Sequence, residues 1–106
     1  MSVRLHRQAE QLMAEAELLE GAGRHDDARA RWLDAARLEA ECFDTIPRDR
    51  GKTRGIIAVS AVALFRRAGA LDEAVRTGET YLATGKLPDA WTAELQALVD
   101  TAKVER

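Results

Sequence analysis

The chain is poor in the residues that staple or punctuate a fold. It has one cysteine, two prolines and few aromatic residues (two Trp, one Tyr and two Phe) among its 106. A lone thiol, Cys42, excludes an internal disulfide framework and fits a reducing compartment. The longest apolar stretch, Ile56 to Phe65, falls well short of the roughly 20 residues a helix needs to cross a bilayer, so no membrane partner is expected. The N-terminal residues lack the apolar run and small-residue cleavage site of a secretory signal, and the expected location is cytoplasmic. An excess of one charge is missing too. Sixteen Lys and Arg are interspersed with 18 Asp and Glu for a net charge of −2, which gives no overall field to draw the chain to nucleic acid.

What is abundant is alanine, leucine, glutamate and arginine, and that mixture reads as all-α. A chain of this length forms one domain with a core of useful size. Within it one short phrase occurs twice: Gly23-Arg24-His25-Asp26-Asp27-Ala28 and Gly69-Ala70-Leu71-Asp72-Glu73-Ala74. Each lies between two amphipathic stretches. A glycine just past one helix relaxes the left-handed position there, and acids suit the positive end of the next helix. Two copies of one helix-turn-helix junction indicate a repeat, and repeated helix pairs build binding surfaces more often than active sites.

The phrase and its surroundings resemble the tetratricopeptide repeat. Ala16 takes that family's small position and Leu12 and Leu19 its bulky ones, followed in order by Gly23, Ala28, Trp32 and Ala35. In the second copy Phe65, Gly69 and Ala74 match. Val62 stands at the small position, Gly78 where an aromatic belongs and Tyr81 where alanine belongs. Ala28 and Ala74 are 46 residues apart, against a family period of roughly 34. The resemblance covers most of residues 5 to 84. It implies two helical hairpins, about 3–46 and 54–84, joined by a basic linker at 47–54 and closed by a capping helix over about 88–104. The alternative is a compact five-helix bundle.

Periodicity supports these elements. Leu5, Ala9, Leu12, Ala16 and Leu19 draw one stripe on a first helix from Val3 to about Glu20. A second helix runs from about Asp26 to Asp44 and stops before Ile46-Pro47. The third, about Thr53 to Ala68, is apolar on most of its circumference, which suits a central helix or one buried against a partner. In the fourth, Leu71 to Thr84, Gly78 is costly unless it permits close contact, expected here with the third helix. Gly85 is a stop signal, and Pro88 opens a fifth helix striped by Trp91, Leu95, Leu98 and Ala102.

Candidate chemistry is sparse. Gly51-Lys52-Thr53 ends like a phosphate-binding P-loop, but Ile46 stands where the loop's first glycine belongs and a helix precedes it instead of a strand. His25, Asp26 and Asp27 read as helix-start residues, since no third or fourth metal ligand lies at recognisable spacing. His6 has no evident partner, and Cys42 reads as a buried structural thiol. No cofactor, metal or catalytic activity is expected.

Binding is expected to fall to the face that lines the groove in tetratricopeptide repeats, the first helix of each pair. The resemblance places Glu10, Met13, Glu17 and Glu20 on it from the first helix, and Ile56, Val59, Ala63, Arg66 and Arg67 from the third. Such a groove would be acidic at one end, apolar in the middle and basic at the other, fit for a peptide or helix of another protein. The lysines and asparagines of the carboxylate-clamp members are absent from it. Self-association through the third helix is a further expectation. An alternative function is an anionic ligand or nucleic-acid phosphate held by Arg48, Arg50, Lys52 and Arg54, the one dense basic cluster.

Overall fold

A computed structural model describes all 106 residues. The chain is all-α, with five helices and no strand: α1 (Val3–Gly21), α2 (His25–Asp44), α3 (Gly51–Arg67), α4 (Leu71–Thr84) and α5 (Asp89–Glu105). The repeated phrase makes one junction twice. Gly23 and Gly69 have φ of +78° and +76°, where a side chain would be strained. Gly23 N–H donates to Glu20 O and Arg24 N–H to Leu19 O. Forty-six residues on, Gly69 N–H donates to Arg66 O and Ala70 N–H to Phe65 O, all at 2.9–3.0 Å. These are the paired bonds of a Schellman ending. The helices that follow restart alike, with Ala28 N–H on Arg24 O and Ala74 N–H on Ala70 O. Each carries two acids in its first turn.

Consecutive helices pack on one another, and α5 packs on α3 as well as α4. The molecule measures 40 × 33 × 17 Å. At interaxial spacings of about 8–10 Å its short axis holds two helix layers. That zigzag sets α1, α3 and α5 along one face and α2 and α4 along the other. The first hairpin is also tied at its open end. Ser2 Oγ caps α1 by accepting Leu5 N–H at 3.2 Å, Ser2 N–H donates to Thr45 Oγ1 at 2.8 Å, and the Cys42 thiol donates to Ser2 O at 3.6 Å.

The two hairpins fill their cores differently. In the first, Ala9, Ala16, Ala28, Ala35 and Ala36 are fully buried, and the space they leave is taken by the equally buried Trp32. The position 46 residues beyond Trp32 is Gly78. A Cβ there would lie 2.3 Å from Val99 Cγ2 on α5 and 3.6 Å from Val62 Cγ2 on α3. The close approach expected of Gly78 is therefore made chiefly to α5, because α5 lies in the cleft an aromatic would otherwise fill. Residues 47–54 are likewise not all linker. Arg50 N–H on Pro47 O closes a turn, α3 begins at Gly51, and Lys52 and Arg54 ride on its first turns.

A candidate partner-binding face

Residues 6, 10, 13, 17 and 20 recur at the spacing that keeps them on one flank of α1. Both ends of that flank are anchored. His6 Nδ1 lies 2.8 Å from Glu39 Oε1 on α2, and Glu20 reaches Trp32 on α2 and Arg67 on α3. Between them stand Glu10 and Glu17, exposed, and Met13, half-buried. On α3, Ile56, Val59 and Ala63 follow the same rule between Lys52 and the Arg66-Arg67 pair, and Ile56 is 43% exposed. The backbones of α1 and α3 nowhere come within 8 Å, Cα to Cα. The flank of α1 and the ridge of α3 border one face, joined at its end through Glu20 and Arg67.

The charges of this face are not arranged as expected. Glu20 and Arg67, expected at opposite ends, meet: Arg67 Nη2 is 3.2 Å from Glu20 Oε2, and its guanidinium lies 4.0 Å over the Trp32 ring. Trp32 Nε1–H donates to Glu20 Oε1 at 2.6 Å. That bond first, and the Arg67 charge after it, hold the Glu20 carboxyl below its ordinary pKa. Arg66 pairs with Glu105 on α5. The reason lies in the repeat. Glu20 and Arg66 each stand three residues before a junction glycine, so the last turns of α1 and α3 come to the same end of the molecule.

A third wall was not expected from sequence, where α5 read only as a cap. Trp91 lies against Gly55 of α3, whose Cβ would be 2.3 Å from the indole. Glu105 at the other end of α5 holds Arg66. Positions 91, 94, 98 and 105 share one helical flank. Half-buried Leu98 and exposed Glu94 therefore border the same face. The signal for them was that spacing. No known family's model, no characterised protein and no solved structure matches this chain. The face is read from its own geometry.

The basic cluster divides. Arg48, Arg50 and Lys52 are exposed, but Arg54 is only 7% exposed and is not available to a ligand. Its Nη1 donates to Ile46 O at 2.8 Å, its Nε to Gly85 O at 3.2 Å, and its guanidinium lies 4.3 Å over the Phe43 ring. Once helix begins at Gly51, Arg54 is turned inward onto carbonyls left free where α2 and α4 end. Gly85, one of these, has a neighbour in left-handed conformation, Lys86 at φ +51°, and this brings a further cation beside the cluster.

Elsewhere polar groups serve the fold. Asp27 accepts from Arg24 Nε and Nη2 at 2.9 and 2.6 Å, and Asp26 pairs with Arg29. His6 does have a partner, the fully buried Glu39, whose Oε2 has none. Cys42 is fully buried, and burial pushes its thiol pKa up. No three His, Cys, Asp or Glu side chains gather as metal ligands would, and no helix is long and apolar enough to cross a membrane. An open cavity of about 260 Å³ lies on the far side of α1, lined by Glu15, Leu18, Leu19 and Arg31.

Proposed function

We propose that this chain is a non-catalytic cytoplasmic adaptor that takes a segment of another protein along the face shared by α1 and α3, as a tetratricopeptide-like groove does. The observation that carries the reading is the apolar ridge of exposed Ile56 and half-buried Val59 and Ala63, set on a central helix and bordered by α1 and α5. The doubled junction supports a repeat, and the flat two-layer arrangement supports a shared face of first helices. A photo-crosslinking residue at Ala63 tests it. One partner segment should be trapped there in stoichiometric yield, and none from a control position at Leu18. Trapping from Leu18 alone would overturn the reading, and trapping of a second copy would make the ridge an oligomer seam.

A second reading is an anion held by Arg48, Arg50 and Lys52. It is favoured by one observation: none of these, nor neighbouring Lys86, makes an ion pair within the chain. Charge reversal at the three should then abolish a salt-sensitive binding that survives substitution at Ala63.

A further inference from the structure

We infer that the segment taken by this face is apolar and cationic, a stretch of a foreign protein carrying Lys or Arg on the flanks of an apolar ridge. The inference rests on the adaptor reading and adds the chemistry of the partner. It follows from counting which charges of the face remain after the chain's own pairs are made. Arg67 and Glu20 neutralise each other, as do Arg66 and Glu105. The basic end of the groove is thereby removed from recognition. What remains on the walls is Glu17 on α1 and Glu94 on α5, both exposed and both without a hydrogen-bonding or ionic partner in the chain. Glu10 stands two turns before Glu17, 3.6 Å from a His6 ring whose other nitrogen is already on Glu39. The one free cation along the ridge is Lys52, at its extreme end.

The face is therefore an apolar floor, Ile56, Val59 and Ala63, between two carboxylate walls. A ligand that covers the floor must place charge or dipole against both. Cations there gain complementary potential, and acids meet like charge and desolvation. The same arrangement speaks against a second copy as the occupant. A two-fold contact places a patch against itself, so Glu17 and Glu94 would face carboxylates of the same kind across the seam. Nucleic acid is disfavoured for the same reason.

Three fluorescein-labelled amphipathic peptides of about 18 residues, or five helical turns, make the test. All carry leucines at one set of positions, with Lys, Gln or Glu at the polar ones. Fluorescence anisotropy at about 0.15 M salt is the readout. The Lys peptide should bind about tenfold or more tightly than the Gln peptide, a difference of about 1.4 kcal/mol, and the Glu peptide should not bind. The double variant Glu17→Lys/Glu94→Lys should reverse that order, and Ile56→Asp should abolish binding of all three. These residues are exposed, so circular dichroism should report unchanged helix content. If the Lys peptide binds but ignores the double variant, the cationic inference falls. If the Gln peptide binds best and is lost in Ile56→Asp, the inference also falls and the adaptor reading stands. If no peptide binds and Ala63 traps nothing, both fall.

Discussion

Hairpin α1/α2 and hairpin α3/α4 share a junction bond for bond and yet are packed in opposite senses. At three positions related by the 46-residue offset the first has Ala16, Trp32 and Ala35, and the second has Val62, Gly78 and Tyr81. Small, large, small becomes medium, absent, large. The indole of the first hairpin is its own filling. The second keeps a vacancy between its helices, and Val99 enters from α5. Tyr81 turns the other way, its ring 4.2 Å from that of Phe43 on α2, and so joins the hairpins to each other. The turn is set by local chemistry and can be copied. A core is set by volume, and volume must be balanced against whatever lies next door.

Emptying the self-filled hairpin is the strongest way to break the comparison. Trp32→Ala removes a fully buried ring and the partners of Glu20 and Arg67, and should cost about 3–5 kcal/mol in urea denaturation. That is a large share of the roughly 5–15 kcal/mol a domain has. Filling the vacant hairpin should cost less. Gly78→Ala gains about 1 kcal/mol in helix propensity but drives a methyl onto Val99, for a net loss of about 1–2 kcal/mol. Adding Val99→Ala should recover part of that loss, and a double-mutant cycle that comes out additive would show that α5 is not the filling.

The shared feature sharpens the comparison. Gly23→Ala and Gly69→Ala should each cost about 1–2 kcal/mol through backbone strain, since no atom lies nearer than 3.7 Å to either new methyl. Equal losses are expected, and a difference beyond about 0.5 kcal/mol would mean the two junctions are not energetically one motif. The smallest effect belongs to Tyr81, whose phenol burial pushes well above its ordinary pKa. A pKa raised on folding gives stability that is complete below the unfolded value and fades as pH rises past it. Melting temperature should therefore fall from about pH 10 upward. Tyr81→Phe should be nearly neutral at pH 7 and should flatten that alkaline slope, read by thermal melts across the range.

Much of the fold was legible because its signals are local. The Leu5-to-Leu19 stripe, the two glycines with acids after them and the break at Pro47 place five helices to within about two residues. The site was legible in part. The spacing of Glu10, Met13 and Glu17 on α1 and of Ile56, Val59 and Ala63 on α3 is visible in the sequence, but the pairing of Glu20 with Arg67 depends on how α1 and α3 are placed in space. Arg54 looked like its neighbours because four alternate cations in a row carry no mark of which one turns inward. His6 and Glu39 are 33 residues apart, and no periodicity links them. Gly78 announced a close approach without naming the helix that makes it.

That last feature has a consequence in time. A chain emerges from synthesis N-terminus first, at about 5–20 residues per second, and its parts fold as their contacts become present. The first hairpin holds its own filling and its own end clasp, and those contacts need no residue beyond Thr45. The second is not complete when its second helix ends. Until Val99 arrives, Val62 faces an open slot. A chain cut short between Leu87 and Val99 and released would be a half-finished molecule, with the second hairpin presenting its core to chaperones and proteases.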